Sequence, residues 1–311
     1  MTLTRTLRIG TRASQLARTQ TGWVADLLAG LHPDLAIETV LVSTEGDRSA
    51  APLAQIGGTG VFVSALRQAL LDGEIDVAVH SCKDLPTKPA DGIALAAVPV
   101  REDPRDALCA RDDRTLLELP TGALVGTGSP RRAAQLRALD LGVQIVPIRG
   151  NVDTRLARIA DDLDAVVLAA AGLRRLGRTD AISELLDPIQ VLPAPAQGAL
   201  AVECREDDHG TRTLLAGLDH VASRAAVVAE RALLAGLEAG CSAPVGALAE
   251  VTEGDDGQQE VFLRGSVTAV DGTDAVRLSV TGELETAEQL GRRLADELIE
   301  LGANTMMGSS S

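Results

Sequence analysis

The sequence predicts an α/β fold in three domains. Three observations predict it. Through residue 200, short strand-like runs alternate with helical ones, as in sheets of mostly parallel strands covered by helices. Two proline-rich connections, "VPVREDPRDA" (98–107) and "DPIQVLPAPAQG" (187–198), bracket a segment that reads as an insertion. From about residue 219 the texture changes to a helix, a cysteine loop, strands and a closing helix, a small α+β unit. At 311 residues the chain exceeds one small core, and domains of roughly 100 residues are expected. The boundaries read as 1–98 plus 199–218, 99–198, and 219–311.

"TLRIG" (6–10) is the first strand, followed by a helix from Ser14 to Leu28. "AIETVLVST" (36–44) alternates like a strand. "VFVSALRQALLDG" (61–73) puts Phe62, Leu66, Ala69 and Leu70 on one helical stripe, and Gly73 ends it. "IDVAVHS" (75–81) is the next strand. In the bracketed segment, strands at 122–128 and 143–150 are followed by helices at 129–139 and 152–160, and "DAVVLAAAG" (164–172) reads as a buried strand. "ALAVECR", after Gly198, is a strand that could return to the first sheet. A helix at 223–237, strands around 245–280 and a helix at 285–300 complete the chain. "RIGTRASQLARTQ" and "LVGTGSPRRAAQL" echo one another, as two similar lobes would.

Composition removes several function classes. Aromatics are Trp23, Phe62 and Phe262 with no tyrosine, which leaves no stacking platform for single-stranded nucleic acid. A net charge of −15 argues against a general polyanion surface. No apolar run approaches a membrane span, and "MTLTRTLRIG" has no signal-peptide core, so a cytoplasmic protein is expected. The four cysteines and four histidines are scattered without CxxC, so neither a metal site nor disulfides are expected.

The basic residues are unevenly placed. Residues 126–178 hold nine arginines against five aspartates, a formal +4 in a chain of −15. That contrast points to a focused anion site. In "GTGSPRR", Ser129 reads as an N-cap and Pro130 as the first helical residue, so Arg131 and Arg132 fall in the first turn. Cations there oppose the helix dipole, a conflict an anionic ligand would resolve. "IRGNVDTR" repeats the arrangement with Arg149 and Arg155. In α/β sheets such strand-to-helix junctions line the ligand crevice. For Arg137, Arg158 and Arg178, solvated surface charge is the preferred reading.

"VAVHSCKDLPT" places Ser81, Lys83 and Asp84 just past another strand end, and "GTRAS" adds Arg12 and Ser14 at a fourth. Lys83 is one of only two lysines. An ammonium beside a carboxylate can hold the acid ionised, but a surface ion pair before Pro86 fits equally well. His80 reads as structural, and no Ser–His–Asp or Cys–His set emerges. The loop cysteine Cys241, in "GLEAGCSAPVGALAE", is left as a nucleophile, an attachment point or neither.

Taken in order, "RIGTRASQLA", "GGTGVFVSAL", "DVAVHSCKDLPT", "REDPRDAL", "GTGSPRR", "IRGNVDTRL", "AAAGLRRLG", "LPAPAQGALAVECR" and "AGCSAPVGA" resemble the porphobilinogen deaminase (hydroxymethylbilane synthase) family from about residue 7 to 250. The resemblance implies a transferase of porphyrin biosynthesis. Four porphobilinogen units add head-to-tail, each with loss of ammonia, to a covalent dipyrromethane cofactor. Water then releases hydroxymethylbilane, which passes to uroporphyrinogen-III synthase.

The resemblance implies that Cys241 carries the cofactor by a thioether. Asp84 would be the catalytic carboxylate that stabilises an azafulvenium-like cation. Lys83, Arg131, Arg132 and Arg155 would hold cofactor carboxylates. Arg12, Ser14, Arg149, Arg155 and Arg175 would handle substrate and growing chain. Ser81, Thr127, Ser129 and Gln197 would donate hydrogen bonds. It further implies that the first two domains resemble two-crossover periplasmic binding proteins. A monomer is expected, with no metal, nucleic acid or membrane partner. The chain departs from the family at Gln55 and Thr59, where lysines are frequent in a lid loop that keeps Arg48. Gly128 replaces a common serine, and Cys82 a common methionine, as a packing residue or an oxidisable thiol. A non-catalytic solute-binding or effector domain is the competing reading, because it shares the two-lobed fold.

Overall fold

The computed structural model describes residues 6–43, 60–240, 243–254 and 257–307. Gln55, Thr59, Arg48 and Cys241 lie outside the described residues. The chain divides into two compact units, Met1–Arg101 with Ala199–Arg224, and Glu102–Gly198 with Ala225–Ser311.

The first unit is built on a five-stranded sheet. Its strands are β1 (Thr6–Thr11), β2 (Ala36–Leu41), β3 (Val77–Ser81), β4 (Ile93–Ala97) and β10 (Leu200–Arg205), in the order β2-β1-β3-β10-β4. β1 pairs in parallel with β2 and β3, while β10 is antiparallel to both β3 and β4, so four of the five strands run one way. The predicted return of "ALAVECR" is observed as β10. α1 (Gln15–Leu31) covers one face, where Leu7, Ile9, Val24, Leu28, Val77 and Val79 are buried together. α2 (Gly60–Leu71) covers the other with Leu66, Ala69 and Leu70, three members of the predicted stripe.

The second unit repeats this plan. β5 (Asp106–Ala110), β6 (Leu124–Thr127), β7 (Gln144–Pro147), β8 (Ala165–Ala169) and β9 (Glu184–Leu185) order as β7-β6-β8-β5-β9. β6 is parallel to β7 and β8, and β5 is the reversed strand. The registers match: Gly10 lies opposite Ala78 and Val40, and Gly126 opposite Val166 and Val146. Both glycines sit where a Cβ would collide, Gly10 with Ile75 at 2.3 Å and Gly126 with Leu163 at 2.6 Å. The sequence echo therefore reflects one packing problem solved twice. Helices α3 (Pro130–Ala138), α4 (Val152–Asp161) and α5 (Ala170–Arg175) cover this sheet.

The run 164–172 is strand only to Ala169, and α5 starts at once, because Ala170, Ala171 and Leu173 turn inward. The connection 98–107 is not all linker: Asp106 and Ala107 already belong to β5 and are fully buried. After β10 come α6 (His209–Leu215) and α7 (Val221–Gly236). The second unit then adds a three-stranded antiparallel sheet of β11 (Val245–Glu253), β12 (Gln259–Thr268) and β13 (Ala275–Glu283). α8 (Ala287–Glu300) and α9 (Ala303–Met306) close its core with Leu233, Val261, Leu263, Leu294 and Leu298.

Candidate active site

In the first unit, β1 and β3 are parallel neighbours, so their C-terminal ends lie side by side. β1 leads into Arg12 and into Ser14, whose Oγ accepts from Ala17 N–H at 3.3 Å and caps α1. β3 leads into a single 3₁₀ turn, Cys82–Asp84. Gln20, buried on α1, donates to Ser81 Oγ at 2.9 Å and accepts from it, which ties the two strand ends together. Lys83 and Asp84 are half-buried. Cys82 is fully buried, so it packs the turn and offers no accessible thiol.

Behind this turn lies a buried ionic cluster. Arg67 donates from Nε and Nη2 to Glu203 at 3.0 and 2.6 Å. His80 Nε2 lies 3.3 Å from the same carboxylate, without hydrogen-bond geometry. Burial pushes Glu203 up, yet His80 and Arg67 outweigh it and hold the carboxyl at about 2.

In the second unit, β7, β6 and β8 end together, and the arginines follow them. Ser129 Oγ accepts from Arg132 N–H, capping α3, with Pro130 at the first position as expected. Thr127 Oγ1 accepts from Ser129 N–H at 3.2 Å. Asn151 caps α4 by accepting from Thr154 N–H at 2.9 Å, which brings Arg155 into the first turn. Arg155 Nε is buried with no hydrogen-bond partner. Burial, then Arg132 and Arg149, push the Arg155 guanidinium below its ordinary range. A buried, unpartnered Arg155 donor pressed by two neighbouring guanidinium groups fits an anionic ligand. Arg175 donates to the Gly198 carbonyl at 2.7 Å and is likewise depressed by burial, against the pull of Glu102. A Cβ at Gly128 would lie 2.7 Å from the Ile148 carbonyl oxygen and 3.8 Å from Arg155 Nη2, so glycine keeps this approach clear.

Arg131 and Arg132 are only 3% and 5% exposed. Asp106, at the start of β5, accepts from Arg131 Nη2 at 2.8 Å and from Arg132 Nε at 2.9 Å. Gln197 Nε2 also donates to Asp106, at 2.8 Å, while its Oε1 accepts from Arg132 Nη2 at 3.2 Å. Arg131 Nη1 reaches the Leu192 carbonyl and Arg132 Nη1 that of Val167. Burial pushes Asp106 up, but the two guanidinium groups and Gln197 hold it far below the carboxylate range. Sequence reasoning missed Asp106 because "REDPRDAL" read as a linker and its partners lie 25 to 91 residues away. The surface readings stand: Arg158 pairs with Asp162 and Arg178 with Asp153, and Arg137 donates to the Val270 carbonyl.

Glu230, buried on α7, was also missed. It accepts from the N–H groups of Ala196 and Ala249. It thus pins α7 and β11, the elements on either side of the cysteine segment, to the loop bearing Gln197. Ala243 N–H donates to Gly240 across that segment at 2.9 Å. Among the described residues, no cluster of His, Cys, Asp and Glu could hold a metal, and no helix is long and apolar enough to cross a membrane.

Residues 7–213 match the family model described as "Porphobilinogen deaminase, dipyromethane cofactor binding domain", and residues 224–300 the one described as "Porphobilinogen deaminase, C-terminal domain". The porphobilinogen deaminase of Nocardia farcinica is 61% identical over 307 residues, 97% of this chain and 88% of that protein. That of Mycobacterium tuberculosis is 58% identical, over 97% of this chain and 98% of the relative. Among solved structures, the methionine-binding protein MetQ aligns with a TM-score of 0.41 and 13% identity, over 68% of this chain and 89% of its own. The chain belongs to the porphobilinogen deaminase family.

Proposed function

We propose that this chain polymerises four porphobilinogen units head-to-tail with loss of ammonia and releases hydroxymethylbilane by hydrolysis. The observation that carries the reading is the cationic group of Arg132, Arg149 and Arg155, with a buried Arg155 donor awaiting a partner. Each porphobilinogen brings an acetate and a propionate, so the ligand gains about two negative charges per unit at neutral pH. Arg131, Arg132, Arg155 and Lys83 would hold the carboxylates of a dipyrromethane attached to Cys241. When bound, that group supplies a primer whose free end accepts the next pyrrole.

The other roles belong to the chain's own side chains. Arg12, Ser14, Arg149 and Arg175 bind the acetate and propionate groups of substrate and growing chain. Ser81, Thr127, Ser129 and Gln197 fix pyrrole and carboxylate orientations. Asp84 accepts the N–H of the incoming pyrrole and stabilises the positive charge that develops as ammonia leaves. We further propose three domains (1–98 with 199–218, 99–198 and 219–311), a cytoplasmic monomer, and delivery of product to uroporphyrinogen-III synthase. The solute-binding alternative is not favoured, because matches to both family models cover most of the chain.

Intact-protein mass is the test. The purified protein should exceed its sequence mass by two linked pyrroles, and Cys241→Ala should abolish the excess. An unmodified wild-type protein that still turns over porphobilinogen would rule out the covalent reading.

A further inference from the structure

The repeated architecture supplies an internal comparison. Superposing registers by Gly10 and Gly126 makes Ser81 the counterpart of Ala169, and Leu200 that of Asp106, since Leu200 lies opposite Ser81 and Asp106 opposite Ala169. The N-caps Ser14 and Ser129 fall four and three residues after these glycines, and counting each helix from its own cap pairs Leu16 with Arg131, Ala17 with Arg132 and Gln20 with Gln135. At these register positions the first unit carries Leu200, which is buried, and Leu16 and Ala17, which are half-buried. The other carries two arginines and an aspartate. The same register positions are apolar in the first unit, so the shared architecture does not by itself call for charge there. Buried ion clusters can often be exchanged for apolar residues with little loss of stability. The charged trio has a different use.

Resting on the anion-binding reading above, we propose that Asp106 is a positioning residue. It is the resident counter-ion that locks the guanidinium planes of Arg131 and Arg132, and the Gln197 amide, into the arrangement the anionic chain meets. One carboxylate oxygen receives Arg132 Nε and Gln197 Nε2, and the other receives Arg131 Nη2. Both side chains sit in the first turn of α3, where the helix dipole disfavours them, and both are buried. Without the carboxylate, two buried cations would repel each other and separate. With it, their orientation is set before a ligand arrives, and one of their two charges is left for the ligand.

The test compares wild type, Asp106→Asn and the triple variant Asp106→Leu/Arg131→Leu/Arg132→Ala, which transplants the apolar chemistry of the first unit. Each is assayed by thermal melting, by intact mass for the adduct on Cys241, and by kcat and KM for porphobilinogen. In Asp106→Asn, the amide turns donors toward a guanidinium. The expected result is a KM at least tenfold higher with kcat changed less than threefold, and a mixed adduct population. The triple variant should melt close to wild type and carry no adduct. If Asp106→Asn cannot fold while the triple variant can, uncompensated arginines are the cause and the proposal stands. It is overturned if Asp106→Asn keeps a KM within twofold of wild type and full adduct, or if the triple variant does not fold. A wild-type protein without adduct would instead sink the functional reading, which separates the two failures.

Discussion

Replacing Glu203 by glutamine should make the protein's acid limb visibly flatter. The Glu203 side chain is 3% exposed and receives two Arg67 N–H groups, with His80 at 3.3 Å. Burial raises its pKa, and His80 and Arg67 lower it by more, from 4.5 to about 2. A depressed carboxylate contributes stability that is fully present above the unfolded value and is lost as pH falls toward the folded one. Between an ordinary value of 4.5 and a folded one of about 2, that contribution is on the order of 3 kcal/mol at pH 7 and roughly half of that at pH 3. Stranding Arg67 in a buried site points to a similar loss, roughly 3–5 kcal/mol. Thermal melts of wild type and Glu203→Gln at pH 7 should therefore differ by roughly 6–12 °C. Urea titrations at pH 7, 4 and 3 should show the gap narrowing by about half. A gap below about 1 kcal/mol at pH 7, or one that stays constant down to pH 3, would refute the linkage argument.

Three further outcomes are expected. Arg155→Met should leave stability unchanged or raise it by about 1 kcal/mol, because it removes a buried donor without a partner. The same change should raise KM for porphobilinogen about 10- to 100-fold, and a loss of Tm with normal KM would contradict this. Asp84→Asn should retain the adduct by intact mass while kcat falls about 10²–10³-fold, and turnover near wild type would remove Asp84 from the charge-stabilising role. Gly126→Val should cost about 1–3 kcal/mol in a urea titration, since its Cβ would meet Leu163 at 2.6 Å and Ile148 at 3.0 Å. A neutral result would show that the α4 side of the sheet is slack.

What could be read in the sequence was what local chemistry encodes. Ser129 with Pro130, Asn151 before Val152, and the alternating apolar runs each act within one turn or one strand. They put Arg131, Arg132, Arg149 and Arg155 at strand-to-helix junctions from the sequence alone. The short strand at 93–97 stayed hidden, because no clean alternation marks it. β9 has two residues and takes its existence from pairing with β5.

The partners of the arginines were beyond reach for a different reason. Asp106 meets Arg131 across 25 residues and Gln197 across 91, and Glu203 meets Arg67 across 136. Nothing in the spacing of "REDPRDAL" distinguishes a solvated linker acid from a buried counter-ion. The distinction comes from the reversed strand of each sheet. β5 and β10 carry their side chains back past the parallel strands, to the edge where the N-termini of α1 and α3 begin. In one sheet that edge receives Leu200 and in the other Asp106. Aligned as sheets, reversed strands included, the two repeats carry an acid and two arginines at one edge and only apolar residues at the corresponding positions of the other. The echo between "RIGTRASQLARTQ" and "LVGTGSPRRAAQL" thus held more functional information in its differences than in its similarity.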